Sequence, residues 1–223
     1  MSPGCDRCYA RHQALRLQHF GVAKYSDGFD VRLHYEALAE PLKWNKKRAQ
    51  RVLVCSMGDL FHEAVPDDFI RRVFDVMHLV SHHAYFVLTK RVERMAALGA
   101  SLDWGGNVWA GATVEDSAAL PRLDLLRAVP ASRRFVVFEP LIERIGASWF
   151  SLDGIHWVIC GGETGRDCRP CDGPVQIRYA CLHAKVPFWF TSWGGYQIKR
   201  GDALVDQQVH ELPAEFVAKV EGT

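Results

Sequence analysis

The sequence predicts an α/β fold with a mostly parallel sheet, and three observations predict it. Strand-like segments alternate with helical ones at about 25–30 residues per unit, the size of a βαβ unit. Several strands are short continuous apolar runs, as expected of a sheet covered on both faces. Most of them end in a polar or acidic residue, and in such folds ligands collect at the carboxyl ends of the strands. The repeat is too regular for a two-layer α+β fold. A doubly wound sheet or an open or complete barrel remains.

The elements follow in order. Ser2-Pro3-Gly4-Cys5-Asp6-Arg7-Cys8-Tyr9-Ala10 holds a Pro-Gly turn and two thiols three positions apart. Ala10 to Phe20 has helix-forming composition, and Gly21 stops it. Phe29 to Leu33 alternates apolar and polar, which predicts a short strand. Glu40-Pro41 opens a helical stretch ending in a basic patch, Lys43, Lys46, Lys47, Arg48 and Arg51. That patch reads either as a solvated helix face or as a contact for an anionic substrate. Arg51 to Cys55 is a continuous apolar strand ending in Ser56-Met57-Gly58-Asp59. Pro66-Asp67-Asp68 opens a helix from Phe69 to Val80, with acids beside its amino terminus.

Tyr85 to Leu88 is a strand ending in Thr89-Lys90-Arg91, and Arg91 to Leu98 is helical. Val108 to Ala112 is a strand ending in Thr113-Val114-Glu115-Asp116, followed by a helix to about Arg127. Phe135 to Phe138 ends in Glu139-Pro140. Trp157 to Cys160 ends in Gly161-Gly162-Glu163-Thr164-Gly165. Val175 to Ala184 is helical, and Phe188 to Phe190 is the last strand. The expected organisation is a barrel-like domain over residues 1–198 and a weakly patterned polar tail over 199–223, with a turn at His210-Glu211-Leu212-Pro213.

Composition narrows the function. The chain has 223 residues, 48% of them hydrophobic, enough for one buried core. A net charge of +1 gives no nucleic-acid bias. No apolar run reaches about 18 residues, so no membrane span is expected. The polar, cysteine-bearing start does not read as a signal peptide, and a cytoplasmic location is expected. Seven cysteines are an odd number. Without an export signal they suggest metal or redox chemistry in a reducing compartment.

The carboxyl-end rule selects Ser56, Asp59, Lys90, Thr113, Glu115, Glu139 and Glu163. Cys5 and Cys8 can hold one metal or one iron–sulfur cluster from a single loop. With Cys168 and Cys171 they could also form a closed zinc site, although the pairs stand about 160 residues apart. Gly161 and Gly162 permit close backbone approach to a ligand, or simply a tight turn. Asp59, His62 and Glu63 suit metal binding or acid–base work, or a solvated helix entry. Trp189, Trp193 and Tyr196 suit stacking on a base, or a core. Neither a Ser–His–Asp signature nor a His-Glu-x-x-His motif is present.

Taken together, the thiol loop and Ser56-Met57-Gly58-Asp59-Leu60-Phe61-His62-Glu63, Val87-Leu88-Thr89-Lys90-Arg91, Thr113-Val114-Glu115-Asp116, Glu139-Pro140-Leu141, Gly161-Gly162-Glu163-Thr164-Gly165 and Ser192-Trp193-Gly194 resemble a known family. It is a phage-associated, radical-SAM-like family often encoded beside a "three-Cys-motif partner" protein. The resemblance implies a partial (β/α) barrel with a [4Fe-4S] cluster at its mouth. It implies three cysteine ligands and one iron left open for S-adenosyl-L-methionine, cleaved on reduction to a 5′-deoxyadenosyl radical. The strand ends are also similar to those of spore photoproduct lyase. That similarity implies a nucleic acid or nucleotide substrate, Ser56 and Asp59 near the cofactor's amino group, Lys90 at its carboxylate and Thr113 near its ribose. Glu115, Glu139, Gly161, Gly162 and Glu163 complete the expected cofactor site.

The chain departs from the family pattern in three places. The cysteine expected before Cys5, and the first barrel strand, would fall ahead of Met1. Cys168 and Cys171 stand where the family carries an apolar residue, and Thr191 stands where it often carries lysine. The alternative to an enzyme is a phage-encoded binding protein on the same fold, cluster-free or holding zinc.

Overall fold

The computed structural model describes residues 2–44, 48–195, 203–205 and 207–217. Lys46, Lys47, Tyr196 and Lys199, and with them the expected domain boundary, lie outside the described residues. The architecture is the α/β partial barrel that the sequence predicts, with six strands taken in chain order. The elements are α1 (Tyr9–His19), β1 (Arg51–Val54), α2 (Asp67–Leu79), β2 (Ala84–Thr89), α3 (Val92–Gly99), β3 (Val108–Thr113) and α4 (Arg122–Ala128). They continue with β4 (Arg133–Phe138), β5 (Trp157–Cys160), α5 (Pro174–Ala184), β6 (Phe188–Phe190), β7 (Ala203–Leu204), β8 (Gln207–Gln208) and the short α6 (Ala214–Val217). Among the described residues no helix is long and apolar enough to cross a membrane.

The chain divides into two compact units. The amino-terminal unit comprises Cys8–Ala112 and Asp124–Arg133. The carboxy-terminal unit comprises Met1–Arg7, Thr113–Leu123 and Arg134–Thr223.

In the amino-terminal unit β1 pairs with β2 and β2 with β3, both in parallel, with Val54 opposite Val87 and Thr89 opposite Ala112. α2 forms because Phe69, Ile70, Phe74 and Met77 fall on one face and are all buried there. Asp67 and Asp68 in its first turn suit the positive end of the helix dipole. α1 stops as expected. Gly21 takes φ +69°, and the Gly21 and Val22 N–H groups donate to Gln18 and Leu17 carbonyls at 2.9 and 3.0 Å, a Schellman closure.

Three expectations fail in this unit. Phe29 to Leu33 forms no strand. Its alternation is real, but Phe29 and Val31 are exposed and Arg32 bends back to the Ser26 hydroxyl at 2.6 Å. Alternation makes a strand only where a neighbouring strand takes up the backbone bonds. Nor is β1 covered on both faces. It is the first strand of the sheet order, and Leu53 is 48% exposed. Among the described residues the stretch after Glu40 yields only a single 3-10 turn, Pro41–Lys43.

In the carboxy-terminal unit β4 pairs with β5 and β5 with β6, again in parallel, with Phe138, Cys160 and Phe190 in one row. Phe135, Phe138, Phe188 and Phe190 are buried and form much of its core. The tail has more order than its composition suggests. The Phe190 N–H donates to the Val209 carbonyl at 2.8 Å, and the Glu211 N–H donates to the Phe188 carbonyl at 2.9 Å. These bonds lay residues 209–211 antiparallel on β6, with the His210 ring stacked on Trp189 at 4.3 Å.

Candidate functional site

Each unit carries candidate site residues at the carboxyl ends of its own strands. In the amino-terminal unit Cys8 caps α1 and is partly exposed. The next side chain, Tyr9, donates its hydroxyl to the Ser56 carbonyl at 2.6 Å. Ser56 follows β1, in a turn that begins at Cys55 with φ +55°, a left-handed conformation uncommon outside glycine. The Gly58 N–H closes that turn on the Cys55 carbonyl at 2.9 Å.

Asp59 is the hub of this end. Its carboxylate accepts from the Phe61 N–H (2.9 Å), the Thr89 hydroxyl (2.7 Å), the Lys90 N–H (3.3 Å) and the Arg91 guanidinium (3.0 Å). The loop after β1 is thereby tied to the loop after β2. Arg91 also pairs with Glu63 at 2.9 Å, which holds the Glu63 carboxyl down at about 2. Lys90 is therefore placed at this end by its own backbone.

In the carboxy-terminal unit the thiol loop begins as a 3-10 turn, Pro3–Cys5. Ser2 donates its hydroxyl to Glu115 and lies 3.5 Å from the Cys5 sulfur. Glu115 has no exposed surface and pairs with Arg122 at 2.6 Å. Arg122 also donates to the Thr113 carbonyl at 2.7 Å, so one guanidinium fixes the residues that follow β3.

Glu163, 3% exposed, takes two arginines. The Arg169 N–H and Nε donate to its Oε2 at 2.9 and 3.0 Å, and Arg169 Nη2 donates to its Oε1. Arg7 approaches the same Oε2 at 3.4 Å. Burial pushes the Glu163 carboxyl up, but the bonds from Arg169 and the Arg7 charge outweigh it and leave the pKa lowered. The thiol loop is bound to the same place, since Arg7 donates to the Asp167 carbonyl and Arg169 Nη2 donates to the Pro3 carbonyl at 3.0 Å.

Gly161 and Gly162 are needed for close approach by the chain itself. A Cβ at Gly161 would strike the Thr191 hydroxyl and reach Glu139 at 3.0 Å. One at Gly162 would strike the Trp193 carbonyl. The loops after β5 and β6 thus run against each other, with the Gly162 N–H on the Ser192 carbonyl and the Gly195 N–H on the Glu163 carbonyl, both at 2.9 Å.

Glu139 is the exception among the strand-end carboxylates. Its one partner among the described residues is the Thr191 hydroxyl at 3.1 Å. Burial pushes its pKa above 4.5, against the smaller pull of that bond. A raised folded pKa means that the stability it contributes is present at acid pH and is lost as the carboxyl ionises. Glu139→Gln, whose amide carbonyl can still accept from Thr191, should therefore stabilise the protein at neutral pH and not at acid pH. Denaturant midpoints of both proteins at the two pH values check this, and an equal difference at both would refute it.

The cysteines separate by environment. Burial pushes Cys171 and Cys181 up to about 12, and Cys160 well above the usual thiol range. Those thiols are poor metal ligands, because a ligand must be the thiolate. Cys5, Cys8 and Cys168 are partly exposed. Cys5 and Cys8, on one loop with a cationic residue between them, suit thiolate ligation of a cluster in kind. Among the described residues, however, no group of three or more His, Cys, Asp or Glu side chains is arranged to hold a metal ion. The fit extends to two ligands.

The structure thus ties Cys5's loop to Glu115 and Glu163 in one unit, and Cys8's neighbour Tyr9 to Ser56 in the other. Sequence reasoning missed Arg7, Tyr9, Arg122 and Arg169. Arg169 stands between two cysteines read for their thiols, and no spacing rule pairs an arginine with a carboxylate six residues before it in one loop.

The fold and the site define an α/β protein with a thiol-bearing loop at strand carboxyl ends. The chain belongs to the DUF5131 family, described as proteins of unknown function, whose model matches residues 1–219. No curated protein matches the chain. No solved structure matches it either.

Proposed function

We propose that this protein is an enzyme of the radical S-adenosyl-L-methionine type that acts on a nucleic acid or a nucleotide. Cys5 and Cys8 supply two thiolates to a [4Fe-4S] cluster. One observation carries the reading: the loop bearing Cys5 is fastened to residues that follow β3 and β5, where an α/β fold binds ligands. When bound, the cluster would supply the electron that cleaves the cofactor.

The chain's own residues prepare the place. Asp59, Thr89 and Arg91 hold the loop on which Lys90 can meet the cofactor's carboxylate. Glu139 can give or take a proton beside Gly161. The nucleic acid or nucleotide substrate rests on the likeness of the strand ends to spore photoproduct lyase.

Anoxic reconstitution with iron and sulfide tests the reading. The expected product is brown, with iron and sulfide in equal amounts, and Cys5→Ala or Cys8→Ala stays colourless. Full iron loading in either variant would remove the thiol from the site. A colourless parent protein holding one zinc per chain would favour a binding module instead.

A further inference from the structure

We infer that Arg169 and Glu163 form a latch that positions the thiol loop. Arg169 is then a positioning residue, acting through Cys5. The purpose of the latch rests on the cluster reading above, but the latch itself does not need a metal.

The two sides of the latch differ in kind. Glu163 is nearly sealed from solvent and follows β5, so it is a fixed anchor. Arg169 engages it through its own N–H and the Nε–Nη2 edge of its guanidinium, three bonds within one loop. A guanidinium held along one edge by two bonds has little freedom left, and the same Nη2 reaches the Pro3 carbonyl. Arg7 completes the clamp from the other side of Cys5. It reaches both Glu163 and the Asp167 carbonyl. The thiol of Cys5 is thus bracketed at positions 3 and 7 by bonds to one short segment, 167–169.

This arrangement gives Glu163 an occupation other than cofactor contact. Its charge is already met by Arg169 and Arg7, and its lowered pKa agrees with that geometry. Lysine cannot replace Arg169 fully, since a single ammonium cannot span Glu163 and the Pro3 carbonyl with the same fork. A second fastening, Ser2 on Glu115, lies just upstream. It keeps the chain end near while the latch sets the loop.

Alkylation of the metal-free protein with iodoacetamide, read peptide by peptide, tests the latch. Cys181, fully buried in α5, reports global opening. In Arg169→Gln, Cys5 should react about tenfold faster than in the parent, the effect of losing one charged hydrogen bond, while Cys181 stays protected. Arg169→Lys should fall between. An unchanged Cys5 rate in Arg169→Gln overturns the latch. If Cys181 reacts as well, the chain has opened as a whole, and Arg7→Gln decides in its place. That variant removes the more exposed arm, and faster Cys5 with protected Cys181 supports the latch while no change overturns it.

Iron-loaded protein tests the positioning role. Arg169→Gln should lose iron to a chelator faster than the parent, and Arg169→Lys should partly restore retention. Faster alkylation with unchanged iron retention would leave a structural contact and overturn the positioning role. Failure of the parent to load iron would instead count against the cluster reading, with the alkylation result standing.

Discussion

Glu115→Ala is expected to destabilise the protein by about 3–5 kcal/mol, the cost of breaking a buried ion pair from one side. Glu115 is fully enclosed, and Arg122 lies against it at 2.6 Å with only slight exposure. The substitution leaves the guanidinium with the Thr113 carbonyl but without its counter-charge. It also removes the Glu115 acceptor of the Ser2 hydroxyl, so the start of the thiol loop should loosen. Urea unfolding at neutral pH measures the effect as a shift in midpoint at constant slope. A loss below about 1 kcal/mol, the range of an exposed pair, would show that solvent reaches Arg122 freely.

Asp59→Ala should cost about 3 kcal/mol, near the lower end of the same range. Four donors converge on this carboxylate, two of them backbone N–H groups. Arg91 is less exposed to loss, because Glu63 still holds it. The variant should also disorder the end of β2, where Thr89 and Lys90 are tied. Hydrogen exchange at the Phe61 and Lys90 amides reports this directly. Protection equal to that of the parent would remove Asp59 as the hub.

Much of this arrangement was legible in the sequence. The period of strands and helices predicts the α/β fold, and the central strand β3, buried along its whole length, is read correctly from its apolar run. The carboxyl-end rule picks Asp59, Glu115, Glu139 and Glu163 without any structure. It does not say what those carboxylates do. Three of the four are taken up by arginines, 32 residues away for Asp59 but only seven for Glu115 and six for Glu163, spacings that match no helix or strand pattern.

The failures share a cause. Phe29 to Leu33 has the alternation of a strand, and Leu53 sits in an apolar run, yet each depends on a neighbour that sequence cannot supply. Gly161 and Gly162 read as room for a ligand or as a tight turn, and the chain itself fills that room. Their visitors are Thr191 and Trp193, thirty-odd residues on, which the sequence does not pair with them.

The segment laid along β6 has a wider consequence. A last strand with unsatisfied amides and carbonyls is an adhesive seam for any extended peptide, including another molecule of the same kind. Val209, His210 and Glu211 occupy that seam from within, and Glu211 is fastened there by Arg178 at 2.6 Å. Shortening the chain ahead of Val209 would turn a sealed margin into a sticky one, so self-association, rather than loss of chemistry, would be the first symptom.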